Sequence, residues 1–326
     1  MSNSEMNKPI LTVDKVTKVF KVGNFRSQAS LHASDDITFN INESEIVALV
    51  GESGSGKSTI ARILAGIYKP TQGSITFEGK AFGEIDKRTL RGRMPLVFQD
   101  PFSSINPVYR VGHGILRTLK LHRSDLSKEE RVAAAVELLE KVGLTPGDEM
   151  LKRYPHELSG GQRQRLGFAQ ALASNPSLIL ADEPVSMLDV SIRIGLLNLM
   201  RDLRSKEKVS ILYITHDLAS ARYVADRMIV LYAGKIVEEG PSEDVVATPR
   251  HPYTKLLMST APDPRLPYVE LDNTGDLGEP PKVINPEPGC RFAPRCPLVM
   301  DKCRTTDPHL QEVSIKHNVS CFAVSQ

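Results

Sequence analysis

The 326-residue sequence predicts an α/β fold built on a largely parallel sheet. Short β-branched runs recur along residues 8–245, among them IVALV (46–50), SLILAD (177–182) and VSILYITHD (209–217). Helical patterns separate them; Ile60, Ile63, Leu64 and Ile67 follow the spacing of one buried helix face. The strand runs are apolar throughout and do not alternate, which is the pattern of a sheet covered on both faces. Ligands in such sheets bind at the carboxyl ends of the strands. Gly51 and Asp182 fall at such ends.

Composition narrows the class. Hydrophobic residues make up 40% and charged residues 25%, enough apolar material for a sizeable core, so disordered and collagen-like chains are excluded. Lys and Arg total 41 against 39 Asp and Glu, a net charge of +2 that gives no reason to expect a nucleic-acid partner. No apolar run approaches the ~20 residues that cross a bilayer. The opening MSNSEMNKPI lacks the apolar stretch of a signal peptide, so a cytosolic location is expected. After about residue 245 proline-rich segments such as APDPRLP and NPEPGC replace regular periodicity. The expected organisation is a main domain over 8–245 and an irregular extension over 246–326.

The strongest motif is GESGSGKS, residues 51–58, placed after an apolar strand and before an amphipathic helix. Glycines let successive backbone N–H groups turn inward on phosphate oxygens, and the helix start adds its positive end. Lys57 supplies a charge to the β- and γ-phosphates, and the Ser58 hydroxyl suits Mg²⁺. In SLILADEP the strand delivers Asp182, suited to Mg²⁺, and Glu183, suited to polarise an attacking water. Two acids after a strand equally make an ordinary helix cap, and only the glycine loop tips the balance.

A third segment, LSGGQ (158–162), opens another helix about a hundred residues after the first loop and just before the acidic strand. In that order the three motifs resemble the ATP-binding cassette (ABC) family over residues 8–245. The resemblance implies a P-loop ATPase with a RecA-like core, an antiparallel β subdomain and a helical signature subdomain. It assigns ATP to Gly51, Ser53, Gly54, Ser55, Gly56, Lys57, Ser58 and Thr59, with Phe20 stacking on adenine and Phe25 competing for that role. It gives Mg²⁺ to Ser58, Gln99 and Asp182, and catalysis to Glu183, Gln99 and the switch residue His216. It also implies head-to-tail dimers, in which Ser159, Gly160, Gly161 and Gln162 serve the partner's ATP and Asp189 communicates across the interface.

Within the family, QDPFSSINPVYRVG (99–112), DEPVSMLDVSI (182–192) and HPYTKLL (251–257) resemble the ATPase subunits of oligopeptide and dipeptide importers, nearer the second of their two ATPases. The resemblance implies a heterodimer with a second ATPase subunit, two transmembrane permease subunits and an extracytoplasmic substrate-binding protein, at the cytoplasmic face of the membrane. Oligosaccharide or nickel cargo fits the same motifs, and a soluble ATP-dependent regulatory factor is the reading from another class. For HPYTKLL the alternative is a proline-started helix that simply packs on the cassette.

All four cysteines lie late in the chain, at 290, 296, 303 and 321. Their spacing, C-x5-C-x6-C-x17-C, lacks the close ligand pairs usual in structural zinc sites. A 4Fe-4S cluster held by Cys290, Cys296, Cys303 and Cys321 fits better and accords with the importer resemblance. Zinc, or free thiols packing a small core, remain the alternatives. A staple for the extension is the expected role, with redox regulation the bolder one.

Overall fold

The computed structural model describes residues 9–23, 29–100, 105–260 and 281–324. Phe25, positions 101–104 of the 99–112 motif and the proline-rich stretch 261–280 lie outside the described residues. In chain order the first described elements are β1 (Pro9–Val22), β2 (Ala29–Asn42), β3 (Ile46–Val50), α1 (Lys57–Leu64), β4 (Gln72–Phe77), β5 (Lys80–Ala81), α2 (Lys87–Arg93) and β6 (Leu96–Val97). There follow α3 (Val111–His122), α4 (Lys128–Lys141), α5 (Gly147–Met150), α6 (Gly160–Leu172), β7 (Leu178–Asp182), α7 (Val190–Lys206), β8 (Ser210–Thr215) and α8 (Leu218–Val224). The last are β9 (Arg227–Tyr232), β10 (Lys235–Pro241), α9 (Ser242–Ala247), α10 (Pro252–Thr260), α11 (Asp301–Thr305), β11 (Gln311–Ser314) and β12 (His317–Val319).

The chain divides into two compact units. The first comprises Met1–Asn42, Ile46–Phe82 and Tyr213–Gln326. In it, one antiparallel sheet runs β2-β1-β4-β5, and the strand order β11-β12-β10-β9-β3 belongs to a second sheet. In that second sheet β3 and β9 are parallel neighbours, Val47 opposite Arg227, and all five β3 residues are buried. Complete burial is why IVALV reads as a continuous apolar run. β9 pairs antiparallel with β10, and β10 takes β12 with Glu238 opposite Val319. Besides its irregular turns, the region after residue 245 therefore contributes a hairpin, β11–β12, to the sheet that carries β3.

Helix α1 corrects one expectation. Ile60, Ile63 and Leu64 are buried, but Ile67 is 49% exposed. The helix ends at Leu64 and Gly66 turns to φ 68°, so Ile67 leaves the helical face that its spacing predicts.

The second unit comprises Glu43–Glu45 and Gly83–Leu212. Its strands β6 and β7 are parallel, Leu96 opposite Leu180. Side chains cap the starts of α2, α4 and α6, from Asp86, Ser127 and Ser159. The Ser127 hydroxyl accepts from the Glu130 N–H at 3.1 Å while the Glu130 carboxylate accepts from the Ser127 N–H at 2.7 Å, which sets the start of α4. No helix among the described residues is long and apolar enough to cross a membrane.

Candidate functional site

In the first unit, residues 51–58 link the carboxyl end of β3 to α1. Gly56 caps α1 at φ 106°, a left-handed conformation, and a Cβ there would lie 2.2 Å from the Ala33 carbonyl oxygen. At Gly51 the obstacle is closeness: a Cβ would meet the Leu231 carbonyl oxygen at 2.2 Å. Lys57 is buried and folds back on the loop, its Nζ donating to the Gly51 carbonyl at 2.7 Å and the Glu52 carbonyl at 2.8 Å. The Ser55 hydroxyl is buried and has no hydrogen-bond partner among the described residues. A loop closed to any side chain at two glycines, holding a buried cation and an unsatisfied hydroxyl, fits an anionic phosphate chain.

The same unit holds Phe20 and His216. Phe20, half-buried on β1, meets Tyr68 edge-on at 5.4 Å, and the Lys18 ammonium stands 5.0 Å from the Phe20 ring centre. Tyr68, just past α1, is a second aromatic that motif reading passed over. His216 is exposed, directly after β8. Asp217 starts α8, its carboxylate accepting from the Ala219 N–H at 3.0 Å.

In the second unit β7 carries its apolar residues inside and releases Asp182 and Glu183 half-buried at its end. Glu183 adopts φ 46°, unusual for a residue with a side chain. Gln99 donates its side-chain amide to the Glu183 carboxylate at 2.9 Å and to the Ser186 hydroxyl at 3.2 Å. The Ser186 hydroxyl donates to the Glu183 carbonyl at 3.0 Å. Two residues 84 positions apart, named separately by sequence, thus share one hydrogen bond; Ser186 was missed.

Ser159 caps α6 as a capping box with Gln162: its hydroxyl accepts from the Gln162 backbone N–H at 3.2 Å, and the Gln162 side-chain oxygen accepts from the Ser159 N–H at 2.9 Å. Gly161 is buried where a Cβ would meet Ile192 at 2.4 Å, while Gly160 is more open. Asp189 stands exposed at the start of α7 and makes no side-chain cap. A groove in the same unit is lined by Leu96, Val97, Phe98, Thr118, Gln164 and Gln170.

The four cysteines lie in the first unit, all with free thiols. The Cys290 N–H donates to the Cys303 carbonyl at 2.8 Å. Burial pushes the Cys290 and Cys321 thiols up and the Cys296 thiol to about 11, and negative charge on neighbouring cysteines adds to each rise. Four soft sulfur donors suit a polynuclear cluster in donor chemistry. Among the described residues, no group of three or more His, Cys, Asp or Glu is arranged to hold a metal ion.

Comparison with known proteins places these features in context. Residues 34–186 match the family model described as ABC transporter, and residues 237–303 match the oligopeptide/dipeptide transporter C-terminal region. The chain is 42% identical over 317 residues to a putative peptide import ATP-binding protein of Brucella ovis, covering 96% of this chain and 98% of that one. It is 39% identical over 325 residues to the dipeptide transport ATP-binding protein DppF of Haemophilus influenzae, covering 98% of each. Among solved structures, a dimeric ATP-binding cassette in a post-hydrolysis state with ADP and phosphate superposes with TM-score 0.62 at 31% identity, over 71% of this chain and 98% of that one. A Clostridium perfringens component of an ABC transporter complex gives TM-score 0.63 at 26% identity, over 74% and 91%.

Proposed function

Since the chain belongs to the ATP-binding subunits of ABC transporters, in the branch with an oligopeptide/dipeptide transporter C-terminal region, we propose that it hydrolyses Mg-ATP to power import of oligopeptides or dipeptides through a membrane permease. The observation that carries this reading is the near full-length similarity to relatives named for peptide import. On it, residues 8–245 form the nucleotide-binding domain and 246–326 the extension.

In this reading the amides of residues 51–58 and the Lys57 ammonium hold the phosphates, with Ser53, Ser55 and Thr59 beside them, and Phe20 stacks on adenine. Ser58, Gln99 and Asp182 would hold Mg²⁺, which neutralises charge on the β- and γ-phosphates when bound. Glu183 takes the proton of the attacking water, Gln99 orients that carboxylate, and His216 contacts the γ-phosphate. The hydrogen bond between Gln99 and Glu183 supports their acting together. Two cassettes close head to tail, so Ser159, Gly160, Gly161 and Gln162 face the partner's ATP and Asp189 senses the interface. The helix start at Ser159 supports an anion-facing role, because the first-turn amides of α6 point out of the helix.

The partners in this proposal are a second, non-identical ATPase subunit, two permease subunits and an extracytoplasmic binding protein, with no nucleic acid. The chain sits at the cytoplasmic face of the membrane, and the groove lined by the exposed Phe98 receives the permease. Cys290, Cys296, Cys303 and Cys321 would hold a 4Fe-4S cluster that staples the extension; the confinement of all four cysteines to residues 290–321, without close pairs, is the observation behind this. The test is ATPase activity of the assembled complex, its binding protein loaded in turn with peptides and oligosaccharides. Stimulation by peptide alone is expected; stimulation by sugar alone overturns the cargo.

A further inference from the structure

Glu52, the second residue of the phosphate-binding loop, is held from two sides by residues of the carboxy-terminal region. Its backbone N–H donates to the Tyr253 hydroxyl at 2.9 Å. Its carboxylate takes both terminal nitrogens of the Arg295 guanidinium, at 2.8 and 3.1 Å, a two-point ion pair. The pair is sheltered: the Arg295 side chain is 9% exposed and Glu52 27%. Glu52's own carbonyl accepts from the Lys57 ammonium at 2.8 Å and from the Ser55 N–H at 3.2 Å. Two hydrogen bonds therefore separate the Tyr253 hydroxyl from the lysine of the loop.

Neither clamp residue is free to drift. Tyr253 is fully buried with Tyr232 and Phe292, ring centres 4.5 and 5.6 Å away, and Arg295 lies over the Tyr232 ring at 5.7 Å. Tyr253 follows His251, whose N–H donates to the Glu238 carboxylate at 2.9 Å. Glu238, fully buried, also accepts from the Arg250 N–H at 2.8 Å and meets the His317 ring nitrogen of β12 at 2.7 Å. A series of hydrogen-bonded residues thus runs from the terminal hairpin through Glu238, His251 and Tyr253 to Glu52 and Lys57, with the rigid Tyr253 ring joining its two halves. An aromatic cluster packs in HPYTKLL for stability alone. The Tyr253 hydroxyl accepting from a loop amide, where packing needs no such bond, is a different observation.

We propose that Tyr253 and Arg295 are positioning residues of the nucleotide site, fixing Glu52 and through its carbonyl the Lys57 ammonium, so that ATP affinity depends on the carboxy-terminal region. The proposal rests on residues 51–58 being the phosphate site. By linkage the dependence is mutual: bound nucleotide protects the 290–296 segment as that segment supports the loop.

The test measures Mg-ATP affinity of the full chain by titration with a fluorescent ATP analogue, alongside its thermal midpoint. Tyr253→Phe keeps the ring and deletes the acceptor; Arg295→Gln deletes the charge. Each is expected to weaken binding about five- to tenfold, the conversion of one hydrogen bond's net worth. Arg295→Lys should recover part of the loss. In the assembled complex KM should rise while kcat holds, which loss of folding stability alone would not produce. Where Tyr253→Phe fails to fold, Glu52→Gln tests the pair from the loop side, and combining it with Arg295→Gln should be no worse than either alone. Unchanged affinity with a lowered thermal midpoint overturns the proposal, leaving packing as the residues' role. Lys57→Ala serves as the control: if it too binds ATP normally, the phosphate assignment falls, and the clamp with it.

Discussion

The Gln99 side-chain amide donates to the Glu183 carboxylate at 2.9 Å, and Glu183 itself holds φ 46° at the end of β7. An off-region backbone costs of order 1–3 kcal/mol and recurs where a side chain must be aimed. The hydrogen bond and the backbone together fix the carboxylate that this account makes the general base.

Glu183→Gln keeps the shape and the hydrogen-bonding capacity but cannot take a proton. Hydrolysis should fall about 10²- to 10⁴-fold, the range of general-base catalysis, while ATP affinity is retained. Single-turnover assays with equilibrium binding check both halves; normal turnover removes Glu183 from the mechanism.

Gly51 and Gly54, two of the three loop glycines, should respond differently to alanine. At Gly51 the new Cβ would lie 2.2 Å from the Leu231 carbonyl, and backbone cannot yield as a side-chain tip can. Overpacking of that kind costs about 1–3 kcal/mol, visible as a lower urea midpoint. At Gly54 nothing stands within 4 Å, so only its φ of 79° is penalised, by roughly 1–2 kcal/mol. Gly51→Ala should also weaken ATP binding; equal ATP affinity in the wild type and this variant contradicts the close-packed loop.

Stability should fall below neutral pH through His251. Burial pushes this residue down to about 4 from 6.5, outweighing the opposite pull of Glu238, and its Nδ1 accepts the Tyr253 N–H at 3.0 Å, which requires an unprotonated nitrogen. Between pH 6.5 and 4 the unfolded chain binds a proton that the folded chain refuses, so stability is lost as pH drops across that window, by at most about 1.4 kcal/mol per unit. His251→Asn keeps a capping acceptor without the titration. Urea midpoints at pH 7 and 4.5 should therefore diverge less in the variant; identical slopes refute the assignment.

Anaerobically purified protein should carry about four irons per chain and the visible absorption of an iron–sulfur centre, both lost in Cys303→Ser. Metal analysis returning one zinc and no iron would replace the cluster with a zinc site.

What the sequence makes legible is local. IVALV, SLILAD and GESGSGKS specify strand, strand and loop because neighbours in the chain determine them, and they lie where their patterns place them. Ile67 departs from its pattern because periodicity does not register the break at Gly66. The links of Glu52 to Tyr253 and Arg295 span 201 and 243 positions, and no spacing rule joins residues so far apart. HPYTKLL stood out as a motif, yet only coordinates reveal that its tyrosine reaches the phosphate loop. The hairpin β11–β12 escaped for a similar reason: each strand is short, and the β10 residues that pair with β12 lie about eighty positions earlier.

The most direct test of the whole account is labelled-peptide uptake by the complete transporter in proteoliposomes, with wild-type chain and with Glu183→Gln. The account predicts ATP-dependent peptide uptake by the wild type and none by the variant, although the variant still binds ATP. Equal uptake by both, or no uptake by the wild type when peptide-loaded binding protein and ATP are present, would contradict it.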